Sequence, residues 1–351
     1  MRQEDDFLRR LYEETLRRHR DEAERSGPEE RRKRLREALK EALGTFERND
    51  AYRAATMERV ACDGYVRERV ELSATPGLTF RAYVLIPDEA ERGHPLPGVL
   101  ALHGHGYGSR EIVGLRPDGA PDDGEPGIHG HFAVQLVRRG LVVIAPDVIG
   151  FGERRLQADL DERPDAPNSC FRLATELLML GKTLTGLRVH EARRALDVLA
   201  SRGEVDPGRV GAVGFSGGAL LANAVAALDD RIRALALSGY PNTFRDSILS
   251  VRHCLDNYVP GLLAHAELPE WIGLFAPRPL FLEAGERDPI FPIEGFRKAE
   301  EALRAVYESA GALDRLAVDR FPGAHEINGR RMYDWLYETL RGGAHMKEGD
   351  M

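Results

Sequence analysis

Cysteine and lysine are both scarce in this 351-residue chain. The three cysteines, Cys62, Cys170 and Cys254, are few, odd in number and far apart. They offer no disulfide framework, and no CxxC pair marks a zinc site or a dithiol redox centre. Three free thiols in a reducing compartment are therefore expected. Lysine supplies five of the 49 basic residues (33, 40, 182, 298 and 347), acidic residues number 57, and the formal net charge is −8. That balance argues against a nucleic-acid partner held by net positive charge. The amino terminus, Met1-Arg2-Gln3-Glu4-Asp5-Asp6, is acidic and lacks the apolar segment of a secretory signal. One uncharged stretch, Val210 to Leu228, is long enough to raise the question of a membrane span. It contains Gly211, Gly214, Ser216, Gly217, Gly218 and Asn223, and its middle reads as a tight turn. It is read as a buried strand followed by a buried helix, with no membrane partner and a cytoplasmic location.

What is present is an ordinary globular balance, 42% hydrophobic and 30% charged residues. Residues 1–64 read as a helical arm. Phe7, Leu8, Leu11 and Leu16, then Leu35, Leu39, Leu43 and Phe46, recur at helical spacing on either side of Ser26-Gly27-Pro28. The arm carries no catalytic signature, and its expected use is packing or a homodimer contact. From Tyr65 the texture changes. Val66–Leu72 and Leu78–Ile86 flank Thr75-Pro76-Gly77 as a hairpin. Apolar runs follow at Gly98–Leu102, Leu141–Ala145, Val210–Val213, Ala234–Leu237, Pro279–Glu283 and Leu316–Val318. Helical patterns separate several of them: Phe132–Arg139, Gly186–Ser201, Ala219–Leu228 and Glu294–Ala310. Continuous apolar strands alternating with helices predict an α/β fold, a mostly parallel mixed sheet covered on both faces. This domain is expected over residues 65–342, with inserted segments at 107–130, 153–185 and 240–275 shaping a pocket, and a charged tail at 343–351.

The sharpest motif is Gly214-Phe215-Ser216-Gly217-Gly218. It satisfies G-x-S-x-G between an apolar strand and a small-residue helix, the setting of a nucleophile elbow. Ser216 is the expected nucleophile. A serine hydroxyl needs a base, and the base needs a third group to orient it. Of the downstream histidines, His253 and His265 fall in an insertion and His345 in the tail, whereas His325 follows the last strand-like run. The acid expected after Pro279–Glu283 is Asp288, in Ala284-Gly285-Glu286-Arg287-Asp288-Pro289, ahead of Glu286; Glu283 is read as a strand residue. For a developing oxyanion the expected donors are the backbone amides of Gly217 and of His105, the latter in Leu102-His103-Gly104-His105-Gly106. His103, His105, His129 and His131 raise a metal reading, but spacing places no third or fourth ligand, and none is expected. Asp147 is assigned to local amides. Phe151, Phe171, Tyr240 and Trp271 are candidate wall aromatics, though core positions are the expected use of each, and Arg154, Arg155 and Arg172 are read as ordinary exposed arginines ahead of contacts for an anionic substrate.

Taken together, Leu102–Gly106, Ala145-Pro146-Asp147 with Gly150–Arg154, Gly214–Gly218, Asp288-Pro289 and Gly323-Ala324-His325-Glu326 resemble the α/β-hydrolase superfamily. Gly181–Arg188, Ala192–Ser201 and Val205-Asp206-Pro207 look like its dienelactone-hydrolase-like and acetyl-xylan-esterase-like branch. The resemblance implies a Ser216–Asp288–His325 triad, no cofactor, and a serine carboxylic-ester hydrolase acting on a small acyl ester, such as an acetylated sugar. Two departures are plain: dienelactone hydrolases proper carry Cys where this chain has Ser216, and oligomeric acetyl-xylan esterases carry Gln where it has Gly217. Two other readings stay open: a peptidase of the prolyl-oligopeptidase type limited to short peptides, since residues 1–64 cannot build a β-propeller, and a non-catalytic binding protein on a hydrolase fold.

Overall fold

The computed structural model describes residues 2–342. Nine strands form one mixed sheet: β1 (Ala55–Cys62), β2 (Tyr65–Thr75), β3 (Leu78–Pro87), β4 (Leu96–Leu102), β5 (Val142–Pro146), β6 (Val205–Phe215), β7 (Ile232–Ser238), β8 (Leu280–Gly285) and β9 (Leu316–Phe321). Their order is β1-β2-β3-β5-β4-β6-β7-β8-β9. The first three strands and β5 pair antiparallel, and everything from β5 to β9 runs parallel.

Helices α1 (Gln3–Arg25) and α2 (Pro28–Leu43) precede the sheet. Those that follow are α3 (Ser109–Ile112), α4 (Phe132–Val137), α5 (Gln157–Glu162), α6 (Cys170–Met179), α7 (Leu184–Ala200), α8 (Gly217–Leu228), α9 (Leu262–His265), α10 (Leu268–Gly273), α11 (Ile293–Ser309) and α12 (Met332–Arg341). Because side chains alternate along a strand, each parallel strand feeds two cores. Leu100, Leu102, Ile144 and Ala212 meet Val189, Leu196 and Leu199 of α7 and Ala222 and Val225 of α8. Val99, Ala101, Val143, Val213 and Phe215 meet Phe132 and Leu136 of α4 and Met332 and Leu336 of α12.

One feature differs from the sequence reading. The helical arm ends at Leu43, and Ala55–Cys62 is already a strand, so the expected boundary at residue 65 falls inside a hairpin. This edge strand is exposed along most of its length, which is why it shows no apolar alternation. The arm itself packs on the domain, one of the two uses expected of it. Leu35, Leu39 and Leu43 of α2 enter the core, Arg31 Nε donates to Glu270 (2.8 Å), and Tyr12 of α1 donates to Glu267 (2.7 Å). The expected charged tail lies outside the described residues. Among the described residues no helix is long and apolar enough to cross a membrane.

Candidate active site

The parallel strands deliver the chemistry to one edge. Ser216 follows β6, Asp288 follows β8, His325 follows β9 and the 103–106 loop follows β4. The carboxyl ends of such strands are where open α/β sheets place their ligand crevices. Ser216 itself sits at φ 54°, ψ −123°, one of two non-glycine residues with positive φ among those described. Such a conformation costs about 1–3 kcal/mol and persists only where the surroundings hold it. Here they do: Ser216 N donates to Ser238 O (2.9 Å), and Ser216 O accepts from Ala219 N (2.9 Å). A Cβ on Gly214 would stand 2.3 Å from Gly218 O, and one on Gly218 would stand 2.0 Å from Leu102 O. Only glycine lets strand, turn and helix close this tightly.

His325 and Asp288 meet the elbow. His325 Nε2 lies 2.9 Å from Ser216 Oγ, and His325 Nδ1 lies 2.7 Å from Asp288 Oδ2. With Asp288 as a carboxylate, Nδ1 carries the proton and Nε2 accepts from the serine hydroxyl. The imidazole is held between Phe291, stacked at 5.7 Å, and Phe215, tilted at 4.8 Å. Asp288 is buried, and its Oδ1 accepts from Ile290 N (2.7 Å) and Phe291 N (2.9 Å). Glu286, the other acid considered, is exposed. His253 binds Ser247 and packs on Phe291, while His265 faces solvent. His345 lies outside the described residues.

Glu283 carries a role that sequence reasoning missed. It is buried in β8 and gathers three donors: Ser238 Oγ (2.7 Å), Asn328 N (3.1 Å) and Gly329 N (2.7 Å). Burial pushes its carboxyl up, against the pull of those donors. It thereby ties down the turn just past His325. Nothing in β8 alone signals this, because the partners lie 45 or 46 residues away, Ser238 before it and Asn328 and Gly329 after.

The 103–106 loop crosses the elbow closely. A Cβ on Gly104 would come within 2.8 Å of Phe215 O and 3.1 Å of Ser216 Cβ, and one on Gly217 would touch the His105 ring at 3.3 Å. His103 is fully buried between a backbone acceptor and a backbone donor: its Nδ1 lies 2.8 Å from Gly104 O and its Nε2 accepts from Val148 N (3.1 Å). Burial pushes its pKa down to about 3, so the ring is neutral. His129 Nε2 accepts from Gly104 N (3.1 Å) while its Nδ1 faces Glu111 (2.9 Å). His131 pairs with Asp122. These histidines shape a loop and do not converge on a shared centre. The His105 imidazole instead turns toward Asp256, its Nε2 3.4 Å from Asp256 Oδ2.

A cavity of about 750 Å³ abuts His105, lined among others by Tyr107, Arg110, Phe151, Arg155 and Asn168. Neither Ser216 nor His325 lines it; the residues it shares with the 103–106 loop are His105 and Gly106. Of the proposed wall groups, Phe151 and Arg155 border it. Phe171 is 72% exposed, because it projects outward from α6, and Trp271 is core, its Nε1 donating to Ala266 O. Tyr240 is buried against Phe291. Arg154 is spent on Glu191 (2.6 and 2.7 Å), and Arg172 on Asp159 and Glu162. Asp147 accepts from Ser109 N (3.1 Å), the local role expected of it.

Residues 14–344 match the model of an abhydrolase family. The chain belongs to this family. It is 34% identical over 251 residues to YtaP of Bacillus subtilis (strain 168), provisionally named a hydrolase, covering 70% of this chain and 77% of that protein. Among solved structures, it resembles a Bacteroides fragilis protein provisionally named an acetyl xylan esterase, with TM-score 0.69 and 20% identity over 83% of this chain and 74% of that one. A glucuronoyl esterase from Solibacter usitatus superposes with TM-score 0.64 and 16% identity, covering 90% and 92% of the two chains. At these identities the two structures establish the shared α/β-hydrolase fold.

Proposed function

We propose that this protein is a serine carboxylic-ester hydrolase with Ser216 as nucleophile, His325 as base and Asp288 as the group that orients it. The observation that carries the reading is the unbroken relay of 2.9 and 2.7 Å from a serine at φ 54° through His325 to a buried carboxylate. In the first half-reaction Ser216 Oγ attacks the ester carbonyl and its proton passes to His325 Nε2. His325 then gives that proton to the departing alcohol, leaving an acyl-serine. In the second half-reaction the same imidazole takes a proton from water, whose oxygen attacks the acyl carbonyl, and Ser216 regains its hydrogen. Gly217 and His105 are assigned the amides that receive the oxyanion; one such donor is typically worth ~10²–10³ in rate. The adjacency of His105 to Gly217 supports that pairing.

The substrate we assign is a small acyl ester of a polyhydroxylated alcohol, an acetylated sugar being the leading case. The cavity beside His105 supports it: about 750 Å³, with Arg110, Arg155 and Asn168 among Tyr107 and Phe151. That volume is in the range of small-molecule sites, and the mixed lining suits hydroxyl groups above a long acyl chain. The Bacteroides fragilis neighbour provisionally named an acetyl xylan esterase supports this class. The deciding experiment is labelling with a fluorophosphonate followed by a panel of acetyl, long-acyl, lactone, sugar-ester and aminoacyl-anilide substrates. Stoichiometric labelling of Ser216 and preference for short-acyl sugar esters are expected. An unlabelled protein rejects the nucleophile, and preference for anilides makes it a peptidase.

A further inference from the structure

Three segments far apart in sequence bring four metal-ligating side chains to one point. His105 comes from the loop after β4, Cys170 from the first turn of α6, and Cys254 and Asp256 from the 240–275 segment. One ligand atom from each lies within 4.8 Å of all the others. We propose that His105, Cys170, Cys254 and Asp256 form a mononuclear site for a thiophilic divalent cation, zinc above all. This assignment uses none of the three reacting side chains of the esterase reading; the two share His105, whose imidazole serves here and whose backbone amide serves there.

The donor set is chemically selective. Two sulfurs, an imidazole nitrogen and one carboxylate oxygen suit a tetrahedral zinc site and are wrong for magnesium or calcium, which take oxygen ligands. Zinc–ligand bonds of about 2.0–2.3 Å make tetrahedral ligand–ligand edges of roughly 3.3–3.8 Å. The 3.4 Å between His105 Nε2 and Asp256 Oδ2 already fits that range. His105 Nε2 is buried without a well-aligned hydrogen bond and faces Asp256 Oδ2. Cys170 and Asp256 are buried, and Phe151 closes one side, its ring centroid 5.0 Å from that of His105 in an edge-on arrangement.

The surroundings also balance the charge. Arg188, itself buried, pairs with Asp256 Oδ2 through Nη1, and its Nη2 lies 3.1 Å from Cys170 Sγ. Ile149 O fixes the guanidinium by accepting from Nε (3.1 Å) and Nη2 (2.8 Å). Two thiolates, one carboxylate and a divalent ion sum to one negative charge, which Arg188 cancels. Asp256 Oδ1 accepts from Asn257 Nδ2 (2.8 Å), orienting the carboxylate as outer-shell partners of a metal do. Loading the site forms four metal–ligand bonds and displaces to solvent whatever protons the four ligands carry. Its structural effect is to pin α6 and the 240–275 segment to the loop that carries His105.

The test uses the full-length reduced protein, stripped with a chelator and titrated with cobalt(II), then with zinc(II). One equivalent of cobalt per chain is expected, with a thiolate-to-metal charge-transfer band and the intense visible bands of a tetrahedral ion; zinc should displace both. Zinc should also shield two of the three thiols from alkylation. Cys62→Ser should leave the spectrum intact, and Cys170→Ser or Cys254→Ser should remove the charge-transfer intensity. The wild-type spectrum stands even if a variant fails to fold. Sub-stoichiometric uptake, octahedral bands without thiolate character, or a fully reduced protein that leaves all three thiols open under saturating zinc would overturn the assignment. So would a Cys170–Cys254 disulfide whose reduction still yields no metal uptake.

Discussion

Asp288 reaches His325 with one oxygen only. Its Oδ2 faces the imidazole at 2.7 Å, and its Oδ1 is committed to the backbone amides of Ile290 and Phe291. That division decides what an amide would do in its place. In Asp288→Asn the carbonyl oxygen must stay with the two amides, so the NH2 is driven toward His325 Nδ1. The ring would then carry its proton on Nε2 and face the serine as a donor. The expected outcome is a loss of kcat of about 10³–10⁴, the size a tautomer reversal typically produces, with little change in melting temperature. Steady-state kinetics on p-nitrophenyl acetate beside a thermal melt would check it, and a variant within tenfold of wild type would refute the orienting role.

The elbow glycines make a prediction about folding instead. A methyl group on Gly218 would meet the backbone oxygen of Leu102 at 2.0 Å and that of His103 at 2.6 Å, and neither can move without disturbing β4. Gly218→Ala should therefore lose several kcal/mol, in line with overpacking at a rigid site, and yield little folded protein. Gly203→Ala is the control, since nothing lies within 4 Å of its added Cβ. Denaturant melts of the pair would separate the two, and equal stability would show that the elbow tolerates a wider turn.

The sequence carried this site well where its signals are local. Gly214–Gly218 announces itself because the strand before it and the helix after it are contiguous with the motif, and chain order then points to Asp288 and His325. The loop Leu102–Gly106 was legible for the same reason. Legibility fails where partners are joined only by the fold. Cys170 and Cys254 read as solitary thiols because they lie 84 positions apart, across helix, sheet and irregular chain, and no periodicity records that both end beside His105. Glu283 reads as one more strand residue until Asn328 and Gly329 are seen to depend on it. The first strand, Ala55–Cys62, escaped notice because an exposed edge has no face to keep apolar. Phe171 is neither core nor pocket wall but 72% exposed, because its place in the 153–185 segment does not say which way the short helix α6 turns.

His103 gives a prediction in pH. Burial holds its folded-state pKa at about 3, against an ordinary value near 6.5 once unfolded. Between those values the unfolded chain binds a proton that the folded chain refuses, so this residue's contribution to stability falls as the pH falls through that window. By pH 4.5 the loss from this one group is on the order of 2–3 kcal/mol. Thermal melts from pH 7 to pH 4.5 should decline, and His103→Gln, which has no proton to gain, should decline less. Imidazole NMR offers the direct check: His103 should remain neutral at pH 5, and a charged ring there would remove the explanation.

Glu283 separates bracing from chemistry, because it touches neither Ser216 Oγ nor the imidazole. All three of its partners are donors, which a carboxylate satisfies and an amide cannot. In Glu283→Gln an NH2 must confront either Gly329 N–H or the Ser238 and Asn328 pair, leaving buried donors unpaired at a cost of about 1–3 kcal/mol. The turn after His325 would relax, and the base would spend less of its time 2.9 Å from the serine oxygen. The expected signature is a lower melting temperature together with a fall in kcat at nearly unchanged KM. A fall in stability with kcat untouched would limit Glu283 to holding the fold.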